Sequence, residues 1–367
     1  MRAGGADTQT RRVEGFETLR GLAILLVIVE HALPSTFGPG VVGVVMFFTL
    51  SGYLITGLIS AEVERRGALR YRRFYRNRVL RLYPALVVLL VGVVVEAFTL
   101  GRTPVSELPR TLLVGLTYTA DLPFRQGSAA TGHLWTLATE EQFYLLWPLV
   151  LTASLRRGTV RKALVTSGVL VVLGCVASLW LVAPRWDRVY MLPTSWALAI
   201  VVGAAAYVGR RQLADRLPAP GSRGGKVVAG AALALLLAVS FIAHLKTLLV
   251  AYLLVGPAIA VATVVLIHAV AGWVTLPTPR LRPLLRLGTV SYAAYLWNYP
   301  IAVWLHAAHN PVLLAVLSPP LTVAAATASW FLVERPCRRY RARLDARERR
   351  ATTPVEAELV GATPPGH

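Results

Sequence analysis

The chain has 367 residues, 55% of them hydrophobic and only 15% charged, with a formal net charge of +20 and a mean hydropathy of +0.58. A soluble domain carries about a quarter charged residues, so the composition excludes one, and the long apolar runs between Gly21 and Val333 make this an integral membrane protein. The positive charge does not call for a nucleic-acid partner, because the basic residues sit in short loops between apolar runs, where they report topology.

Taken in order, the chain opens with an extension, residues 1–15, that carries Asp7 and Glu14 and leads into an apolar run with no small-residue cleavage site after it. The first span is therefore retained and is not a removed signal. Ten spans are predicted, at 20–33, 41–60, 82–100, 138–155, 163–183, 192–209, 227–244, 247–270, 286–306 and 311–333. With the N-terminus inside, all but six of the 38 Lys and Arg fall on the inner side; the six are Arg102, Arg110, Arg125, Arg185, Arg188 and Lys246. This asymmetry predicts an all-α polytopic fold of about ten transmembrane helices with both termini in the cytoplasm. The long outer segment 101–137 contains an apolar stretch, 108–124, interrupted by Pro109, Asp121 and Pro123. It is expected to lie half-inserted or along the surface, as a lid over an outward cavity. Cys175 lies in a span and Cys337 in a basic segment, so no disulfide framework is expected. Residues 341–367, rich in polar residues with Pro and Gly towards the end, are expected to form a disordered cytoplasmic tail.

Arg20 and His31 stand eleven residues apart in the first span. Eleven steps of about 100° bring them to one helix face, separated by about 16 Å along the axis. With Arg20 at the inner surface, His31 sits near the middle of a hydrocarbon core about 30 Å thick. Arg20 is equally well explained as a snorkelling anchor; His31 can be read as a packed, hydrogen-bonded ring, but its depth favours function, because a titratable group there needs a cavity or a partner. A neutral imidazole there can take a proton from a hydroxyl. Glu30 points about 100° away and, unpaired at this depth, is expected to be protonated.

The second span, with Gly43, Ser51 and Gly52, reads as close helix packing. The loop 65–81 holds a dense run of arginines, with Arg78 and Arg81 three residues apart and thus on one face. Arginine forks suit a phosphate-rich donor approaching from the cytoplasm; anionic lipid headgroups are the alternative partner. In HLWTLATEEQFYLLWP, His133 to Pro148, Glu140 and Glu141 stand at the outer end of a span. They either cap a helix N-terminus or pair with an arginine or histidine in a wet cavity. Tyr292, Tyr295, Trp297 and Asn298 lie in the ninth span, and Glu334 and Arg335 close the last.

These patches resemble the acyltransferase-3 family of membrane O-acyltransferases. FETLRGLAILLVIVEH, MFFTLSGYLIT, RNRVLRLYPAL, HLWTLATEEQFYLLWP, SYAAYLWNYP and VERP occur in that family's order between Phe16 and Pro336. The resemblance makes 16–340 the membrane acyltransferase domain. It implies transfer of an acyl group, often acetyl, from acyl-CoA to a hydroxyl of a glycan, glycolipid or macrolide-type product, in the bacterial inner membrane and without a metal. It implies donor-holding roles for Arg20, Arg78 and Arg81, and catalytic roles for His31 and Glu141. The chain departs from the family at Asn298, where many members carry His; Asn is no base at neutral pH. It departs also at Glu30, where an apolar residue is usual. On this basis His31 is expected to act as general base, with direct transfer favoured over a covalent acyl-histidine or acyl-serine. A transporter or flippase of a lipid-linked sugar would also use buried His and Glu, but matched broken halves are not visible. A non-enzymatic scaffold would not need a titratable group at mid-depth.

Overall fold

The computed structural model describes residues 13–33, 38–122, 127–306 and 309–361, with side chains described as far as Glu348. Among these the elements are α1 (Glu14–Ala32), α2 (Pro39–Arg66), α3 (Tyr71–Thr99), α4 (Leu108–Thr117), α5 (Trp135–Arg157), α6 (Val160–Val182) and α7 (Pro193–Val208). They are followed by α8 (Arg210–Arg216), α9 (Arg223–Ser240), α10 (Gly256–Val270), α11 (Arg282–Thr289), α12 (Ser291–His306), α13 (Pro311–Ser329) and α14 (Arg335–Gly361). The fold is all-α, and each of the ten predicted spans falls on helical structure, the ninth on two helices. Six segments are long and apolar enough to cross a membrane on those grounds alone: 39–66, 71–99, 160–182, 223–240, 251–270 and 311–348. The other four fall short for visible reasons. α1 and α5 carry Glu17, Arg20 and Glu30, and Glu140 and Glu141, inside their length, while α7 and α12 have 16 residues each.

The helix ends follow local chemistry. Pro39 opens α2 at a position where its missing N–H costs nothing, and Gly67 closes it in the left-handed region at φ 70°, donating to the Val63 carbonyl at 2.8 Å. Asn310 caps α13 by accepting from the Val312 and Leu313 amides, each at 3.0 Å. Two turns are widened to π geometry, Ala251–Val255 and Trp330–Glu334. In both, a proline two residues further on (Pro257, Pro336) removes the amide that a carbonyl inside the turn would accept.

α2 is the central helix, with 67% of its most apolar window buried, whereas α6 has 11% and lies at the periphery. Close approach of α2 to α7 depends on two glycines: a methyl on Gly52 would meet the Ile200 carbonyl, and one on Gly203 the Thr49 carbonyl. The same reciprocity joins α1 to α11 through Gly21 and Gly288. Backbone-to-backbone contact of this kind is how helices associate where apolar burial gives no preference over lipid.

Three expectations are corrected. The first helix starts at Glu14, so Arg20 lies in its second turn; Glu14 and Glu17 favour the extra turn at the positive helix end, and Glu14 Oε2 accepts from the Leu276 amide at 2.8 Å. The segment 286–306 is not one helix but α11 and α12, broken at Val290. Residues 341–348, expected to be disordered, continue α14, because Asp345 accepts from Arg73 and Arg76 of α3 at 2.9 Å each. The stretch 108–117 is the short helix α4, packed on α3 and not a span. Pro123 and Arg125, residues 1–12 of the expected extension and residues 362–367 of the expected tail lie outside the described residues.

Candidate active site

The arginine-rich end of the bundle opens in a cavity of about 270 Å³ lined by Glu17, Arg20, Arg81, Glu334, Arg338 and Arg341, among others. Arg20 and Arg81 make no hydrogen bond or ion pair with another described residue, and Arg81 is exposed to this space. Glu334 Oε1 is buried there without a hydrogen-bond partner. Arg338 and Arg341 come from α14, which is held to α3 by Asp345. Burial pushes the Asp345 carboxyl up, but hydrogen bonds and charge from Arg73, Asn77 and Arg76 outweigh it and hold it below the usual carboxylate range.

Two further cavities, of about 110 and 50 Å³, lead inwards, and Arg20 lines both. Their walls carry Ser51 and Glu140, with Ser51 Oγ and Tyr144 Oη both donating to Glu140 Oε1. The smaller ends at Thr136 and Tyr295. The Tyr295 hydroxyl is held by Thr136 Oγ1 at 2.6 Å and by the His133 carbonyl at 3.1 Å. Beyond it comes a series of rings: His133 lies 5.5 Å from Tyr295 and 5.2 Å from Tyr299, and His31 lies 5.0 Å from Tyr299.

His31 is the penultimate residue of α1 and sits level with Asn298, near the middle of α12. Its Nδ1 meets Asn298 Oδ1 at 2.5 Å, while Asn298 Nδ2 donates to Thr322 Oγ1 at 3.2 Å. An amide oxygen only accepts, so this arrangement puts the imidazole proton on Nδ1 and leaves Nε2 with a free lone pair. Glu30 turns away, as its angular offset predicts, but it is not unpaired. It accepts from the Gly40 amide at 2.5 Å and pairs with Lys246, whose ammonium also lies 4.7 Å from the centre of the Tyr190 ring. It thus ties the start of α2 to the 241–250 loop.

The predicted site residues fall into two groups. Arg20 and Arg81 face the mouth, and His31 lies past the ring series on the same helix as Arg20. Arg78 and Glu141 are instead brought to each other. Arg78 Nη2 donates to Glu141 Oε1 at 2.6 Å and Nε to Oε2 at 3.2 Å, with the guanidinium 3.3 Å from the centre of the Tyr144 ring. The pair lines a further cleft of about 240 Å³ between α3, the end of α4 and α5, and Arg78 also borders the 110 Å³ cavity beside Arg20 and Arg81. Glu141 therefore does not stand at the outer end, where it was expected; α5 starts at Trp135, and one and a half turns carry the carboxylate to the first third of α3. Its neighbour Glu140 is the one that faces the inner cavities. His133 was not singled out from the sequence: it stands in a short 3₁₀ segment, 129–134, before α5, where no periodicity assigns a side. Among the described residues no three His, Cys, Asp or Glu side chains converge to hold a metal.

Comparisons with known proteins bear on this arrangement. A family model of acyltransferase-3 type, described as an acyltransferase domain, matches residues 13–334. O-acetyltransferase OatA of Staphylococcus aureus (strain NCTC 8325 / PS 47) is 26% identical over 355 residues, covering 90% of this chain and 58% of that protein. Peptidoglycan O-acetyltransferase OatA of Listeria monocytogenes is 29% identical over 353 residues, covering 89% and 56%. Putative peptidoglycan O-acetyltransferase YrhL of Bacillus subtilis is 30% identical over 358 residues, covering 89% and 55%. The chain thus spans a little over half the length of these relatives. No solved structure matches it.

Proposed function

From the premise that the chain belongs to the acyltransferase-3 family, as a multi-pass enzyme of the cell membrane, we propose that it transfers an acetyl group from acetyl-CoA to a hydroxyl of a cell-surface glycan, with His31 as general base. One observation carries the proposal: Arg20 lines every cavity from the arginine-rich mouth to Tyr295, and His31, in a base-competent tautomer, lies past that point on the same helix. The relatives' names, which speak of peptidoglycan O-acetylation, support a glycan acceptor.

The donor's phosphates lie against Arg20 and Arg81, whose forks are uncommitted, with Arg338 and Arg341 at the rim. The pantetheine arm runs inwards beside Ser51 and Glu140. It passes when the Tyr295 ring swings and releases Thr136. His31 Nε2 then takes the proton of the acceptor hydroxyl, and the oxygen attacks the thioester carbon. The tetrahedral intermediate collapses by breaking the C–S bond. The departing thiolate takes the proton back from the imidazolium, leaving acetyl ester and free CoA. Asn298 holds the imidazole in the required tautomer through both steps. Arg78 and Glu141 act together as a structural pair between α3 and α5, and not as donor ligand and catalytic group.

The test is label transfer from radiolabelled acetyl-CoA by purified protein in liposomes, with peptidoglycan-derived glycan strands as acceptor. His31→Ala is expected to lower turnover by a factor on the order of 10² to 10⁴, the usual contribution of a positioned base, without changing donor affinity. Label moved at the wild-type rate by His31→Ala would end the assignment. A protein that leaves the thioester intact would favour a transporter.

A further inference from the structure

The ring series contains one group that the proposed chemistry does not use. His133 is 5% exposed, and neither of its ring nitrogens has a hydrogen-bond partner. A buried polar atom left unpaired is costly, and His133 has two ring nitrogens in that position. Its position is not a loose one. Its carbonyl accepts from Tyr295 Oη at 3.1 Å and from Thr136 Oγ1 at 3.2 Å. The Leu296 carbonyl, which Pro300 deprives of its helical donor, lies near the ring, yet neither nitrogen meets it in hydrogen-bonding geometry. The His133 and His31 rings both pack on Tyr299, at 5.2 and 5.0 Å. His31 is satisfied on one nitrogen and open on the other; neither nitrogen of His133 makes a well-formed hydrogen bond, the Leu296 carbonyl being the acceptor near the ring.

We infer that His133 is a second acceptor-binding imidazole of the transfer site, which hydrogen-bonds a hydroxyl of the acceptor next to the one that His31 deprotonates. The inference rests on the acyltransfer reading above and adds to it that the glycan acceptor is held through a second hydroxyl beside the reacting one, a contact that a simple alcohol cannot make. A neutral imidazole offers one N–H donor and one lone pair. A sugar hydroxyl, which donates and accepts, matches either nitrogen. A monohydric alcohol would leave His133 as it stands now. Two imidazoles on one tyrosine ring fix both the hydroxyl that reacts and its neighbour, so the pair sets which position is acylated as well as how tightly the acceptor is held.

The experiment compares wild type, His133→Phe, His133→Asn and His31→Ala in liposomes, with labelled acetyl-CoA and chitotetraose as the acceptor probe. His133→Phe keeps a ring against Tyr295 and Tyr299 but removes both nitrogens. It is expected to raise the acceptor KM by about 10-fold or more while the donor KM stays within a factor of about two. His133→Asn, which keeps a donor and an acceptor, is expected to recover part of that loss, and it carries the test if the phenylalanine variant fails to fold. Acceptor KM unchanged in the folded variants, or acceptor and donor KM raised together, would overturn the assignment of His133 alone. If wild type moves no label from acetyl-CoA, the acyltransfer reading falls and this inference falls with it.

Discussion

Arg78 and Arg81 stand one turn apart on α3 and meet different fates. Arg78 is spent on a two-point ion pair with Glu141 and on the face of Tyr144, with the Arg78 and Glu141 side chains 14% and 18% exposed; Arg81 makes no hydrogen bond or ion pair with another described residue and looks into the mouth beside Glu334. Removing one member of a buried pair strands the other charge, at a cost of about 3–5 kcal/mol. Arg78→Ala is therefore expected to lower the melting temperature in detergent markedly, and Glu141→Ala to do the same. Arg81→Ala is expected to leave the melt unchanged and to weaken acetyl-CoA binding by about 10-fold or more, read by calorimetry. A stable Arg78→Ala protein with lost donor affinity would restore the ligand role that the sequence first gave it. The arginine spacing was legible from the sequence, because i and i+3 share a face whatever the tertiary structure. Which glutamate faces the cavity was not. Glu140 and Glu141 lie 100° apart on α5, and only the position of α3 decides that Glu141 meets Arg78 while Glu140 meets Ser51. The roles of Asn298 and Glu30 were hidden for the same reason: each is defined by a partner far along the chain, Asn298 by His31 and Glu30 by Lys246.

At the scale of elements, the apolar runs were legible because hydrophobic length and flanking arginines are local properties. Helix boundaries shifted where a polar first turn extended α1 and where Val290 divides α11 from α12. What set the packing was carried by single glycines. Gly52 and Gly203 let the backbones of α2 and α7 touch, so a side chain at either must push the helices apart along their whole contact. Gly230 of α9 has nothing within 4 Å of where a Cβ would stand. Gly52→Val and Gly203→Val are expected to destabilise by about 1–3 kcal/mol or more, as overpacking does, and to reduce folded yield on size exclusion. Gly230→Val is expected to be nearly silent by the same measure. If all three behave alike, close α2–α7 approach is not what stabilises the bundle centre.

At the scale of the molecule, the mouth is assembled from parts distant in sequence: Arg20 from α1, Arg81 from α3, Tyr292 from α12, and Arg338 and Arg341 from α14. The four guanidinium groups outnumber the two carboxylates, Glu17 and Glu334, that line the same cavity, so the assembly repels itself until an anion enters and needs a fastening elsewhere. Asp345 supplies it. It bonds Arg73, Arg76 and Asn77 of α3, and with Glu348 it fastens α14 two turns beyond the mouth. The native Asp345 carboxyl is held below its ordinary range, so its contribution is fully present above the ordinary aspartate value, about 3.9, and is lost as the pH falls through the lowered native value. The docking of α14 is thus constant through neutral pH and released only in acid. Asp345→Asn should reproduce the acid state at pH 7: amides of residues 338–348 are expected to exchange about 10-fold faster, the loss of one charge-assisted contact, and acetyl-CoA affinity to fall by a few-fold because Arg338 and Arg341 are no longer held at the rim. Unchanged exchange in the variant would mean that α14 is fastened by something other than this carboxylate. Faster exchange with unchanged donor affinity would mean that the rim arginines do not touch the donor, leaving Arg20 and Arg81 to hold it alone.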